Sequence, residues 1–212
     1  VIDDEQALWI PTSGGLCKYK NGMFSQIGEK QIMTQSIVPY DQTHLLVIHQ
    51  DSISLLNMNT LEQKSVYEIN NTFQISSLFY DNKGEVLWIG TSTDGLFYLD
   101  MKKKSLLPFS DFPKQPIGVI TESSDSTLLV GIDGQGVWEL DKDKKTVLNI
   151  LKEDIDNPFS LRGDGVYDIY CDGKQRVWVA TYTGGLSFFD WKSPLINQIT
   201  HQVNNPNSLG ND

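Results

Sequence analysis

The side chains in this sequence with the means to do chemistry are three histidines, His44, His49 and His201, two cysteines, Cys17 and Cys171, and a surplus of carboxylates. His44 and His49 flank an aliphatic run at a spacing that puts them on opposite faces of a strand, so no metal site follows and both read as polar strand-end residues. Cys17 and Cys171 each fall in or beside an apolar run and read as small buried hydrophobes. Neither belongs to a Cys-x-x-Cys motif or a metal cluster; a disulfide between them stays open, and they do not fix the redox compartment. No Ser or Cys sits in a nucleophile-elbow motif. Asp141-Lys142-Asp143 lacks the following oxygen ligands and glycine of a calcium loop. Asn70-Asn71-Thr72 has the form of a glycosylation acceptor and reads as a turn. The expectation is a chain with no catalytic residues of its own, no metal and no cofactor.

The carboxylates become informative once their positions are compared. Asp100, Asp141 and Asp190 occupy one place in a repeat, each closing an apolar run before a turn. An acid that recurs in every unit reads as structural, because a single active site needs residues from particular units. The repeat is visible directly. Tyr80-Asp81-Asn82-Lys83-Gly84-Glu85-Val86-Leu87-Trp88-Ile89-Gly90-Thr91, followed by Asp94-Gly95-Leu96-Phe97-Tyr98-Leu99-Asp100, has a close copy in Tyr170-Cys171-Asp172-Gly173-Lys174-Gln175-Arg176-Val177-Trp178-Val179-Ala180-Thr181 and Gly184-Gly185-Leu186-Ser187-Phe188-Phe189-Asp190. A third copy carries Leu129 at the tryptophan position, a fourth runs from Leu8-Trp9-Ile10-Pro11-Thr12 with a turn one residue shorter, and Leu45 to Leu56 forms a degenerate fifth. Asn157-Pro158-Phe159-Ser160-Leu161 also returns, as Asn205-Pro206-Asn207-Ser208-Leu209.

A period of roughly 40 to 50 residues, filled with short apolar runs separated by Gly, Asn, Asp, Ser and Lys clusters, is the arithmetic of four antiparallel strands per unit. The fold class expected is all-β, a β-propeller of four-stranded antiparallel blades, about five in this chain. Approximate blades are 1–30, 31–72, 73–113, 114–157 and 158–203, with 204–212 starting another, which suggests a segment of a larger, seven-bladed type propeller. In the best-preserved unit the strands are placed at about Val166 to Cys171, Arg176 to Thr181, Leu186 to Trp191 and Ile196 to Val203. Asp172-Gly173 and Asn82-Lys83-Gly84 are expected to supply positive φ for tight hairpins, and Gly95, Gly136 and Gly185 to sit where a Cβ would obstruct or strain the next turn. Leu96 to Leu99 is apolar on both faces, as in a sheet packed between neighbouring sheets, so Trp9, Trp88 and Trp178 read as packing between blades.

Leu87-Trp88-Ile89-Gly90-Thr91 with Asp94-Gly95-Leu96, and the Asn-Pro-x-Ser-Leu element, resemble two-component regulator propeller repeats. The resemblance covers essentially the whole chain, most strongly in the first, third and fifth units. It implies the periplasmic sensor region of a hybrid two-component system of the Bacteroidetes, responding to an oligosaccharide from glycan breakdown. It also implies that an immunoglobulin-like domain, a membrane helix, a histidine kinase and a response regulator belong to the full-length protein; no kinase or receiver motif is present in these residues.

Composition is compatible with that role. A formal net charge of -10, from 17 basic and 27 acidic residues, repels phosphate backbones and anionic membranes, and Met101-Lys102-Lys103-Lys104 reads as a hairpin tip, so neither nucleic acid nor membrane contact is expected. The longest aliphatic run, Leu45 to Ile48, is too short to cross a membrane, and Val1 does not open a signal peptide, so any such segment is expected outside these residues. A ligand should meet the loops converging at one mouth of the channel, through residues that break the repeat: Asp94, Asp133, Gln135 and Tyr182 between the second and third strands, and Arg162 on the connection entering the fifth blade. Asp, Gln or Arg would hydrogen-bond sugar hydroxyls or a carboxylate, and Tyr182 would stack on a sugar ring. The competing functions are a propeller scaffold for protein–protein interaction and a carbohydrate-active enzyme with acids drawn from separate blades. The remaining expected partners are missing blades or another copy of the chain at apolar propeller edges.

Overall fold

The structure, a computed structural model, describes residues 1–28, 33–49, 52–69, 74–157, 159–172 and 176–190, and residues 193–199 as backbone. The expected start of a further blade at 204–212 lies outside the described residues.

The described residues form strands alone, in five antiparallel sheets with consecutive strands paired. The first contains β1 (Leu8–Thr12), β2 (Gly15–Lys20) and β3 (Met23–Ile27). The second contains β4 (Thr34–Pro39), β5 (His44–His49), β6 (Ser52–Asn57) and β7 (Gln63–Glu68). The third contains β8 (Ile75–Asp81), β9 (Val86–Thr91), β10 (Leu96–Asp100) and β11 (Ser105–Pro108). The fourth contains β12 (Ile117–Ser124), β13 (Thr127–Ile132), β14 (Gly136–Asp141) and β15 (Thr146–Leu151). The fifth contains β16 (Val166–Cys171), β17 (Arg176–Thr181), β18 (Gly185–Asp190) and β19 (Ser193–Ile199). This is the all-β propeller architecture. The first sheet departs from four strands: Ile2 makes an isolated bridge to Leu8 where another strand would pair.

Burial follows strand order within a blade. Every residue of β9 is buried, as are five of the six in β13, because the second strand is covered on both faces. The fourth strand β15 is largely exposed. Residues 1–72 and the residues around Val166 each have their own core: Trp9, Leu45, Val47 and Leu56 in the former, and Leu129, Val137, Leu161, Val177 and Phe189 in the latter. Each such side chain contributes about 1.5–3 kcal/mol by leaving water.

The tryptophans divide. Trp9 and Trp88 are fully buried, with Trp88 in an aromatic row through Phe109 and Phe112 to Trp138 and under the Lys145 ammonium at 4.3 Å. Trp178 is half-buried and stacks on Phe188 of the adjacent strand at 4.8 Å. Leu129 at the equivalent place is fully buried, so an aliphatic side chain fills the same slot.

The strands of the fifth sheet match the sequence reading closely over Val166–Cys171 and Arg176–Thr181. β19 begins at Ser193, earlier than Ile196, with Asp190 paired to Ser193. Gly95 and Gly136 have φ of +80° and +73°, and a Cβ on them would lie 2.7 Å from the Pro113 carbonyl oxygen and 2.2 Å from that of Leu151. In the turn before β9, however, the left-handed residue is Glu85, at φ +50°, not Gly84. Gly84 is needed for space: a Cβ there would sit 2.7 Å from the Asp81 carboxylate. Gly173 lies outside the described residues.

Cys17 and Cys171 are both free and half-buried. Burial, with a smaller contribution from Asp172, pushes the Cys171 thiol up to about 11, which suppresses the reactive thiolate. His44 and His49 are separate, as their spacing requires: His44 lies 3.0 Å from Asp41, and His49 2.8 Å from Gln63.

Candidate functional site

Two recurring devices hold the turn between second and third strands. A threonine ends the second strand and its hydroxyl donates to a carbonyl across the turn: Thr12 to Gly15 at 2.7 Å, Thr91 to Gly95 at 2.8 Å and Thr181 to Gly185 at 3.4 Å. The next residue donates its backbone N–H to the segment leading into the first strand: Ser92 to Gln74 at 2.9 Å, Asp133 to Pro116 at 2.9 Å and Tyr182 to Gly165 at 2.8 Å. These bonds involve only the backbone at Ser92, Asp133 and Tyr182, so their side chains are not needed to make the turn.

The connection entering the fifth sheet is fixed by the Asn-Pro-x-Ser-Leu element. The Asn157 side-chain carbonyl accepts the Phe159 N–H at 3.0 Å, the buried Ser160 hydroxyl bonds the backbone of Asp154, and Leu161 enters the core. The chain then passes through Arg162, Gly163 and Gly165. Gly184 is required here, because a Cβ on it would lie 2.2 Å from the Arg162 carbonyl oxygen.

Between these elements lies a hollow of about 410 Å³, lined by Asp133, Tyr182, Tyr167, Gly118, Gly165 and neighbouring apolar residues. It brings together two of the five residues singled out from sequence, Asp133 and Tyr182. The tyrosine rings of 167 and 182 meet edge to face with centroids 5.5 Å apart, and both side chains are largely exposed. The Asp133 carboxylate accepts no hydrogen bond from the described residues. Gly165 leaves it room, since a Cβ would stand 3.2 Å from Asp133 Oδ1.

The other three are elsewhere. The Gln135 side chain accepts from the Lys152 ammonium at 2.8 Å. Asp94 accepts the Thr93 hydroxyl at 2.7 Å while its N–H donates to Thr91. Arg162 contributes its backbone against Gly184, and its exposed guanidinium makes no ion pair with a described residue.

Tyr167 and Gly118 also line the hollow and were not singled out from sequence. Both occupy a β-bulge: pairing steps from Val166↔Thr181 to Asp168↔Ala180, and from Ile117↔Ile132 to Val119↔Gly131. The extra residue turns outward. Its signature in the sequence is the spacing of inward residues, Val166 to Ile169 and Ile117 to Ile120, three apart instead of two.

The chemistry available is non-covalent. Crossed aromatic faces pack against the C–H face of a ring, and an unspent carboxylate accepts hydrogen bonds from hydroxyls. Among the described residues, no group of three His, Cys, Asp or Glu side chains is disposed to hold a metal ion. No helix long and apolar enough to cross a membrane is present among them.

Residues 160–183, which contain this connection and most of its turn, match the two-component regulator propeller family. Histidine kinase P4 of Formosa agariphila is 27% identical over an alignment 108 residues long that covers 47% of this chain and 8% of that protein. A crystal structure of the extracellular domain assigned to a hybrid two-component system of B. thetaiotaomicron superposes over 94% of the chain with a TM-score of 0.72 at 21% identity, the match covering 27% of that chain. A second extracellular domain of that kind, from the same organism, superposes over 100% of the chain with a TM-score of 0.57 at 18% identity, covering 35% of its own length. These identities establish likeness of fold, and in each case the chain corresponds to a minor part of a larger protein. The chain carries a two-component regulator propeller repeat within a β-propeller fold of antiparallel blades.

Proposed function

We propose that this chain is part of the periplasmic sensor region of a hybrid two-component system and binds a glycan-derived oligosaccharide, without catalysis, in the hollow beside Asp133. The observation that carries the reading is the pairing of crossed Tyr167 and Tyr182 rings with an unspent carboxylate over a hollow of about 410 Å³. A volume of that order suits one or two sugar rings. The sensor assignment is supported by the repeat at 160–183 and by the kinship to histidine kinase P4 and to extracellular domains of two-component systems.

The test is a glycan array followed by calorimetry on the best binder, with Tyr182→Ala and Asp133→Asn beside the parent. Loss of one aromatic face should weaken binding about tenfold or more. Binding of an oligosaccharide that neither substitution alters would remove the site, and new reducing ends on incubation with polysaccharides would replace the sensor with an enzyme.

A further inference from the structure

A second hollow, of about 330 Å³, opens between the first two sheets within residues 1–72. Among the described residues its lining contains no Asp, Glu, Lys or Arg. The polar groups come from strands: Thr34 and His49 are cross-strand partners on β4 and β5, Ser54 lies on β6, and Gln63 opens β7. Leu16 and Ile27 of the first sheet supply apolar wall.

The hydrogen bonding of this lining is incomplete. Thr34 is only 4% exposed, yet its hydroxyl has no partner among the described residues. A buried hydroxyl without a partner costs stability, and a valine of the same shape would fill the place without that cost. The Gln63 amide group lies 2.8 Å from His49 Nε2, and the other ring nitrogen faces the Met33 carbonyl at 3.4 Å. With Nδ1 donating to Met33, Nε2 accepts from the Gln63 NH₂ group, so Gln63 Oε1 is left as an acceptor. Gly28 stands beside it, and a Cβ there would come to 3.5 Å from Oε1.

We propose that this hollow is a binding site for a small, uncharged polyhydroxyl compound of monosaccharide size. Hydroxyls both donate and accept, as Thr34, Ser54 and the Gln63 oxygen require, while Leu16 and Ile27 meet the C–H face. A charged ligand would find no counter-charge among the described lining residues. The volume lies at the small end of ligand sites, which run from roughly 300 to 1,000 Å³. The site is independent of the Asp133 hollow, and neither reading rests on the other.

The experiment is saturation-transfer NMR and calorimetry on this chain with D-glucose, D-galactose, D-mannose and myo-inositol, and with D-glucuronate as charged counterpart. Thr34→Val, Ser54→Ala and Tyr182→Ala are measured alongside. At least one neutral compound should bind and glucuronate should not. Thr34→Val should raise the melting temperature of the unliganded protein and weaken binding about tenfold, a combination that a structural hydroxyl does not give. Ser54→Ala should weaken binding in the same sense, and it carries the test if Thr34→Val does not fold. Tyr182→Ala should leave this affinity unchanged. Absence of binding by all four neutral compounds at tens of millimolar, affinity unmoved by both hydroxyl substitutions, or affinity lost in Tyr182→Ala would each overturn the proposal.

Discussion

The two ends of the blades are built on different terms. At the end where third strands turn into fourth, the side chain makes the turn. Asn57 accepts the N–H groups of Asn59 and Thr60 at 2.9 and 3.0 Å, Asp100 those of Lys102 and Lys103 at 3.1 and 2.9 Å, and Asp141 those of Asp143 and Lys144 at 3.0 and 2.8 Å. Each of these turns then closes through a left-handed residue, Leu61, Lys104 or Lys145. At the opposite end, where second strands turn into third, the residue after the strand, Ser92, Asp133 or Tyr182, is held through its backbone N–H, bonded to the segment leading into the first strand. A turn held by its side chain keeps Asp or Asn in the second, third and fourth sheets. A residue held only by its backbone releases its side chain, and the carboxylate and aromatic ring of the candidate site appear at that position.

The sharpest way to break this comparison is to disturb the backbone of the variable end. Gly136→Ala places a Cβ 2.2 Å from the Leu151 carbonyl oxygen at φ +73°, and should destabilise the protein by about 3 kcal/mol in denaturant unfolding. Gly165→Ala at the same end meets only the Asp133 carboxylate and Tyr182 Cβ, at 3.2 and 3.4 Å. It should cost less than about 1 kcal/mol yet impair the proposed oligosaccharide binding by narrowing the hollow. Equal losses of stability in the two variants would show that the end is not divided into fixed backbone and free side chains.

Side-chain substitutions sharpen the contrast further. Asp133→Ala and Tyr182→Ala should each change stability by no more than about 0.5 kcal/mol, because neither side chain makes the turn. Asp141→Ala should lower the melting temperature visibly, since two backbone amides lose their acceptor. A larger loss for Asp133→Ala than for Asp141→Ala would reverse the assignment of the two ends.

These differences also explain what could be read from the sequence. The blade repeat was legible because Trp88, Thr91, Gly95 and Asp100 serve packing, turn closure, close approach and a second turn, and each task admits few residue types. Asp133 and Tyr182 were legible as departures from the repeat. Gln135, Asp94 and Arg162 departed equally, but a bond to Lys152, a bond from Thr93 and backbone packing on Gly184 engage them apart from the hollow. Tyr167 escaped notice because a bulge shifts its face, and the hollow at Thr34, His49 and Ser54 because strand residues reveal their facing only through register.

The smallest expected effect is invisible at neutral pH and tests the recurring geometry of the side-chain turns. The Asp141 carboxyl is held below its ordinary 3.8 by the Lys144 N–H, against a smaller opposing effect of burial, with help from the Lys144 ammonium and the Asp143 N–H. Asp100 is lowered in the same manner, first by the Lys103 N–H. A carboxyl lowered in the folded state contributes its full stability above the unfolded value, about 3.9, and loses it as pH falls through the folded value. Asn57 makes the same pair of bonds with an oxygen that does not titrate. Asp100→Asn/Asp141→Asn should therefore melt near the parent at pH 7 and lose less than the parent on acidification from about pH 5 to pH 3. Asn57→Asp should do the opposite, adding an acid-sensitive turn. Parallel melting curves for all three across that range would mean that these carboxylates do not hold their turns, and the distinction between the two ends would fail at its better-defined side.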